Sequence, residues 1–320
     1  MKPSIEWREP RASADNEQFA ADLHSALSRA PKAISPKYFY DEAGSRLFEQ
    51  ICDLPEYYPT RTELSLLKTH APNMASHFGP SAQLVEYGAG ALLKVRLLLD
   101  AMPRDSVEFV PMDISGPHLL AACDGLANDY PGLAIQPLVA DFTRPHTLPP
   151  CPEGSRRVGF FPGSSIGNFT PAEADAFLRL AAAELAGGGL LIGIDLVKDH
   201  GTLHAAYNDA AGVTAAFNLN LLDRARKELG AEFPQDGFVH LAFYNPAYRR
   251  IEMHLRATRA LELQLGGERY AFHEGETLHT EHSHKYTVEG FQAMAARAGF
   301  KPGAVWTDPN QWFAVLWLEA

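Results

Sequence analysis

Cysteine is scarce in this 320-residue chain: Cys52, Cys123 and Cys151 are the whole supply, and none forms a Cys-x-x-Cys pair. That excludes a disulfide framework and a cysteine-ligated zinc from the expectations, and it favours a reducing, cytoplasmic setting. Positive charge is short as well, with 28 Lys and Arg against 39 Asp and Glu and a net charge of −11. No basic stripe appears, so nucleic acid is not an expected partner. No apolar run approaches the roughly 20 residues that cross a bilayer, and no membrane association is expected. Met1 to Glu17 is polar and mixed in charge, without the apolar core of a signal peptide. Repeats and low-complexity tracts are missing too. What is left, 46% hydrophobic and 21% charged residues, is ordinary for a globular protein. The length suits one large domain with an elaboration, or two domains.

One stretch stands out against this background. Leu84-Val85-Glu86-Tyr87-Gly88-Ala89-Gly90 leads through Lys94 into Val95-Arg96-Leu97-Leu98-Leu99. It reads as a strand, a tight turn and a helix, and glycines there let backbone approach a ligand closely. A dinucleotide fingerprint needs a third glycine, where this chain has Leu93, and a pyrophosphate at the helix N-terminus. An acid-x-Gly-x-Gly strand end better suits S-adenosylmethionine (SAM), a cationic ligand with an amino-acid end and no phosphate.

Apolar periodicity places helices at 16–29, 42–52 and 61–78, with a rigid Pro-flanked loop over Leu54 to Thr60. A βα rhythm follows. Strands fall at 83–87, 107–113, 134–141, 157–162 and 189–196, and helices at 92–102, 117–129 and 171–187. This predicts a parallel sheet covered on both faces. Helical stretches at 203–229 then give way to alternating strands at 238–244, 249–265 and 278–286. A helix over 288–299, a strand over 301–306 and a closing strand over 312–318 end the chain. A closing strand hairpin resembles the Rossmann-like sheet of SAM-dependent methyltransferases. The expected architecture is α/β, with residues 61–196 and 287–320 as the SAM-binding domain. Residues 1–60 and 197–286 would make a second, α+β substrate-binding domain.

Several side chains suit chemistry, each with a plainer alternative. Asp113 ends the second strand, where an acid accepts ribose hydroxyls or caps the next helix. Asp141 and Phe142 would recognise an adenine amino group and ring, or form a turn and a core contact. Gly163 lies in a small-residue loop, Phe161 to Phe169, that leaves room at the sheet edge; Asn168 and Thr170 compete to cap the following helix. Tyr38, Tyr40, Tyr57, Tyr58 and Tyr207 offer hydroxyls and ring faces suited to an ammonium, or serve as half-buried packing. In Leu278 to Tyr286, Glu281, Ser283 and Lys285 share one strand face and His282 and His284 the other. The first face could grip a polar heterocycle or be a solvated edge. His282, His284 and His273 are a weak metal candidate, and no metal is expected.

Four blocks resemble the histidine-specific Nα-methyltransferases of ergothioneine biosynthesis. They are Pro36-Lys37-Tyr38-Phe39-Tyr40-Asp41 with Gly44 to Glu49, Tyr57 to Glu63, Phe161 to Asn168, and Thr280-Glu281-x-Ser283-x-Lys285-Tyr286. The resemblance runs from about residue 20 to 318. It implies conversion of L-histidine to its trimethylammonium betaine, hercynine, with SAM as cosubstrate. It implies that Asn168 and Tyr207 hold the substrate carboxylate, that Tyr57, Glu281 and Ser283 bind the imidazole, and that Met253 lines that pocket. Tyr40 would face the α-amine, with Phe48 nearby. Gly88, Gly90, Lys94, Asp113, Asp141, Phe142 and Gly163 would contact SAM. Ala89 and Val95 depart from the Ser and Thr that family members often carry, both small changes.

Methyl transfer needs the nitrogen lone pair in line with the methyl, so positioning dominates. No strong base for the amine proton is evident, and Tyr40 or a water it holds would relay it. A buried Glu281 would reject substrates without a ring N–H. A monomer is expected. The rivals are a SAM-dependent enzyme for another amino acid or aromatic amine, a nicotinamide-dependent oxidoreductase, and a noncatalytic SAM-binding protein.

Overall fold

The computed structural model describes residues 12–320. Along the chain come α1 (Ala12–Ser28), β1 (Lys32–Ala33), α2 (Glu42–Asp53), α3 (Tyr58–Ser76), β2 (Ala82–Tyr87), α4 (Leu93–Leu99), β3 (Val107–Asp113) and α5 (Gly116–Asp129). Next are β4 (Ala134–Ile135), β5 (Leu138–Val139), β6 (Arg156–Phe161), α6 (Pro171–Glu184), β7 (Gly189–Asp195), α7 (His200–Tyr207) and α8 (Val213–Leu229). The chain ends with β8 (Phe238–Asn245), β9 (Arg250–Ala257), β10 (Leu261–Leu265), β11 (Glu268–Phe272), β12 (Thr277–His284), α9 (Val288–Ala298), β13 (Lys301–Thr307) and β14 (Phe313–Glu319). It divides into two compact units. The first holds the described residues up to Ile51 with Asn208–Phe243 and Glu252–Glu281, and the second Cys52–Tyr207, Tyr244–Ile251 and His282–Ala320.

The second unit is built on a sheet of order β13-β14-β7-β6-β2-β3-β4, with β5 also paired to β3. β2 to β7 run parallel, and β14 is antiparallel to both β7 and β13. Every residue of β2 and of β7 is buried. That is why these strands read as unbroken apolar runs: a parallel sheet is covered on both faces. Successive residues alternate between two cores. Leu84 joins Leu67, Val95 and Leu126 from α3, α4 and α5, while Val85 joins Phe177 and Phe291 from α6 and α9. The carboxyl ends of β2, β3 and β6 therefore share one edge, where ligands of open α/β sheets bind.

The first unit carries a sheet of order β1-β12-β9-β8 and a separate β10-β11 hairpin. Gly266 and Gly267, at φ +58° and +87°, close that hairpin between the paired residues Leu265 and Glu268. Two positive φ angles in a two-residue loop match the twist of the strands they join. α1 buries Phe19, Leu23 and Leu27, three side chains at helical spacing.

The α/β class and the closing β13-β14 hairpin agree with the sequence reading. Three local expectations, at 134–141, 249–265 and 54–60, do not. The stretch 134–141 is two short pairings, because Gln136-Pro137 interrupts it. Pro111 lies opposite that interruption, since β4 pairs only as far as Phe109 and β5 begins at Met112. A residue without an N–H thus costs the ladder nothing there. The stretch 249–265 is two strands, β9 and β10, split at 258–260. The helical stretches read over 203–229 are α7 and α8, with Gly212 left-handed at φ +74° before α8. The 54–60 loop is shorter than expected: α3 starts at Tyr58 with Pro59 in its first turn. Proline is tolerated there because that N–H has no helical partner. Among the described residues no helix is long and apolar enough to cross a membrane.

Candidate active site

In the second unit the turn after β2 is tied to the end of β3. The N–H groups of Gly88 and Ala89 both donate to Met112 O, at 2.9 and 3.0 Å. Gly90 N–H donates to Asp113 Oδ2 at 3.1 Å, and Asp113 Oδ1 accepts Ser115 N–H at 2.9 Å. Asp113 thus organises the turn, and each carboxylate oxygen keeps accepting capacity for a further donor. Gly88 and Gly90 stand at φ +71° and +52°, where side-chain-bearing residues are strained. A Cβ on Gly90 would meet nothing within 4 Å, so the space beside the turn is open. Leu92, at φ +56°, holds the same conformation at the start of α4 without glycine's freedom.

Glu86 is buried in this edge, and its Oε2 has no hydrogen-bond partner among the described residues. Burial pushes its carboxyl well above the usual range; Lys94 opposes that shift, and Asp113 and Glu63 reinforce it. The orphaned Glu86 oxygen, the open glycine turn and the remaining lone pairs of Asp113 fit a polar ligand such as SAM. Lys94 lies 2.6 Å from Glu63 Oε2. Both oxygens of that fully buried carboxylate also accept Gly163 N–H, at 3.0 and 2.9 Å. Sequence reading gave Glu63 no role, although it closes the block Tyr57 to Glu63. Asp141 caps its own turn, with Oδ1 accepting Thr143 N–H at 2.9 Å. Phe142 packs 5.4 Å from Phe161 and 6.0 Å from Phe177, and a Cβ on Gly88 would touch its ring at 3.4 Å.

The same unit gathers Tyr57, Tyr207 and Ser283 around a buried ionic cluster that sequence reading missed. The rings of Tyr57 and Tyr207 meet edge to face at 6.3 Å. Lys285 Nζ donates to Ser283 Oγ at 2.8 Å and to Tyr207 Oη at 3.3 Å, and pairs with Asp195 Oδ2 at 2.8 Å. Tyr58 donates to Asp195 at 2.7 Å, and Lys198 donates to Tyr58 Oη at 2.7 Å. Burial alone would raise the Asp195 carboxyl, but Lys285 and Lys198 hold it below the usual range. Burial lowers Lys198 to about 8 despite Asp195. Lys285 moves the other way: burial would lower it, but Asp195 and Tyr207 more than offset that. Tyr58 and Lys285 sit inside the recognised blocks, and Asp195 ends a strand at the ligand edge; those were the available signals.

Asn168 closes a short 3-10 turn, Ser165–Asn168. Its side chain has no hydrogen bond among the described residues. Thr170, not Asn168, caps α6, in a reciprocal capping box with Glu173. A Cβ on Gly167 would fall 2.9 Å from His284 O and 3.5 Å from Ser283 Oγ, so this loop lies against the end of β12.

In the first unit Tyr40 packs edge-on to Phe48 at 5.6 Å and to Phe217 at 5.7 Å. Tyr38 differs: it is buried, stacks on Phe19 at 4.5 Å and hydrogen-bonds Asp22. Met253 is buried, and its carbonyl lies 3.0 Å from the Thr280 hydroxyl. Glu281 is 8% exposed. β12 lies between β1 and β9, so it is not the solvated edge strand of the plainer reading.

His282 and His284 stand 5.2 Å apart, and among the described residues no group of three or more metal-ligating side chains brings them together with His273. Glu252, His254 and His279 place donor atoms within 4.8 Å of one another. The two rings stack at 4.6 Å and 17°, however, so their in-plane lone pairs run side by side and do not converge. His279 Nε2 lies 2.9 Å from Glu281 O.

Comparison with known proteins agrees with this edge geometry. The chain is 43% identical over 304 residues to a histidine N-alpha-methyltransferase of Mycolicibacterium smegmatis, covering 93% of this chain and 94% of that one. It is 42% identical to the protein of that name from Mycobacterium tuberculosis, covering 90% of each. It is 29% identical to ergothioneine biosynthesis protein 1 of Neurospora crassa, covering 88% of this chain and 32% of that longer one. The pattern of the histidine-specific, SAM-dependent methyltransferases matches residues 19–320, and the chain belongs to that family.

Proposed function

We propose that the protein transfers methyl groups from SAM to the α-amine of L-histidine, three times in succession, to give hercynine for ergothioneine biosynthesis. The observation that carries this reading is the buried polar strip at the end of β12. Glu281, Ser283 and Lys285 alternate along one strand face at 8%, 5% and 3% exposure. Burying such groups costs free energy unless partners meet them. A ring with both an N–H and a bare nitrogen satisfies a carboxylate and a hydroxyl together. Substrates without that pair cannot meet both the carboxylate and the hydroxyl, and discrimination then reaches orders of magnitude.

In this assignment the β2–α4 turn, Gly88, Gly90, Lys94, Asp113, Asp141, Phe142 and Gly163 hold SAM, which supplies an electrophilic methyl at its sulfonium. No metal takes part. Asn168 and Tyr207 donate to the substrate carboxylate, with Tyr57 against the ring. Glu281, Met253, Phe48 and Tyr40 take the roles the family resemblance gives them: Glu281 and Met253 at the imidazole, Tyr40 and Phe48 at the amine. A free α-amine is mostly protonated at neutral pH and must release that proton before it attacks. The Tyr40 hydroxyl passes the proton to water, and its ring face tolerates the growing positive charge. The protein acts as a cytoplasmic monomer without nucleic-acid or membrane partners, built as a SAM-binding domain over 61–196 and 287–320 and a substrate domain over the remainder. A panel of the proteinogenic amino acids and aromatic amines, assayed by mass spectrometry with saturating SAM, tests the reading. Methylation of histidine alone supports it, and equal turnover of another amine overturns the specificity.

A further inference from the structure

We propose that Lys285 fixes the hydrogen-bond direction of Ser283, so that its hydroxyl meets the substrate as a donor and the histidine ring binds neutral, through a bare nitrogen. This rests on the substrate assignment above. An ammonium has three N–H donors and no acceptor. All three are committed here: to Asp195 Oδ2 at 2.8 Å, Ser283 Oγ at 2.8 Å and Tyr207 Oη at 3.3 Å. The Lys285 side chain has no exposed surface, so water does not compete for them. Asp195 beside it outweighs the effect of burial and keeps the ammonium charged.

A hydroxyl that accepts from an ammonium has its own hydrogen left to give. The Ser283 O–H finds no acceptor among the described residues, so it is available as a donor. A five-membered ring with one N–H and one bare nitrogen meets the Ser283 donor only through the bare nitrogen. A protonated ring offers N–H at both positions; it sets donor against donor and adds a second cation near Lys285. Other titratable groups around the cluster are Lys198 and Tyr58, hydrogen-bonded with Asp195, Tyr57 against the Tyr207 ring, Asp308 acting on Lys198, and His284, which burial keeps neutral down to about pH 4. Ser283 and Lys285 therefore select the neutral ring, a filter distinct from the carboxylate of Glu281.

Nitrogen-15 NMR of ring-labelled L-histidine, bound with S-adenosylhomocysteine at pH 6, reads this directly. The ring of free histidine titrates around this pH, so a large share of it is doubly protonated there. The bound ring is expected to show one protonated and one bare nitrogen, and affinity should fall by up to about tenfold per pH unit below the free pKa. In Ser283→Ala and Lys285→Met the bound ring should regain its second proton and the pH dependence should flatten; Ser283→Ala keeps the test open if Lys285→Met does not fold. A doubly protonated ring in the native complex overturns this inference alone. So does an unchanged ring signal in Ser283→Ala. Absence of any bound histidine overturns the substrate assignment and the inference with it.

Discussion

Lys285 Nζ lies 2.8 Å from Asp195 Oδ2, and the two side chains are 0% and 2% exposed. A pair this deep contributes little net stability compared with apolar residues, yet breaking it is costly because one charge stays buried alone. Asp195→Ala leaves two lysines without their carboxylate and should destabilise the protein by about 3–5 kcal/mol. Urea denaturation at pH 7 measures this. Asp195, with its carboxyl held low by Lys285 and Lys198, contributes stability above the ordinary carboxylate pKa that is lost as pH falls through the lowered one.

Glu63 gives a second prediction. A Cβ on Gly193 would stand 2.1 Å from Glu63 Oε1 and 3.0 Å from the Phe313 ring. Gly193→Ala must therefore displace the carboxylate that holds both Gly163 and Lys94. It should lower the melting temperature and weaken SAM binding together. Calorimetric titration with SAM, on variant protein kept below its melting point, checks the second effect.

The tyrosines at 38 and 40 separate packing from chemistry. Tyr38 is buried and bonded to Asp22, so Tyr38→Phe should cost about 1–3 kcal/mol of stability and little turnover. Tyr40 is half-buried, and Tyr40→Phe should do the reverse: near-native stability with turnover lowered roughly 10- to 100-fold, if its hydroxyl passes on the amine proton. Parallel melting curves and initial rates on the two variants decide it.

Much of the fold was legible because the parallel sheet writes itself as apolar runs. β2 and β7 are buried along their whole lengths, and the Gly88-Ala89-Gly90 turn marks the ligand edge. The closing β13-β14 hairpin was legible for the same reason. β4 and β5 were not, since two-residue pairings beside Gln136-Pro137 leave no period to read. The residues facing the ionic cluster could be named only through family blocks. The cluster itself was invisible, because Tyr58, Asp195, Lys198 and Lys285 come from three distant stretches and no spacing rule joins them. Tyr38 and Tyr40 look alike in sequence, and only packing against Phe19 or against Phe48 tells them apart.

His284 predicts acid sensitivity. Burial, His282 and Arg250 lower its ring to about 4. Between the unfolded value of about 6.5 and that value the unfolded chain binds one more proton. Stability should therefore fall as pH drops through this window, by about 1–2 kcal/mol once the water-accessible part of the ring is discounted. His284→Gln should flatten that slope, which denaturant midpoints from pH 7 to pH 4 will record.

The central claim is tested by incubating the protein with SAM and L-histidine and following products by mass spectrometry. The account predicts mono-, di- and trimethylhistidine in order, all methylated at the α-amine, with the trimethyl product accumulating. Histidine recovered unmethylated under saturating SAM, or methylated on its ring, would contradict it.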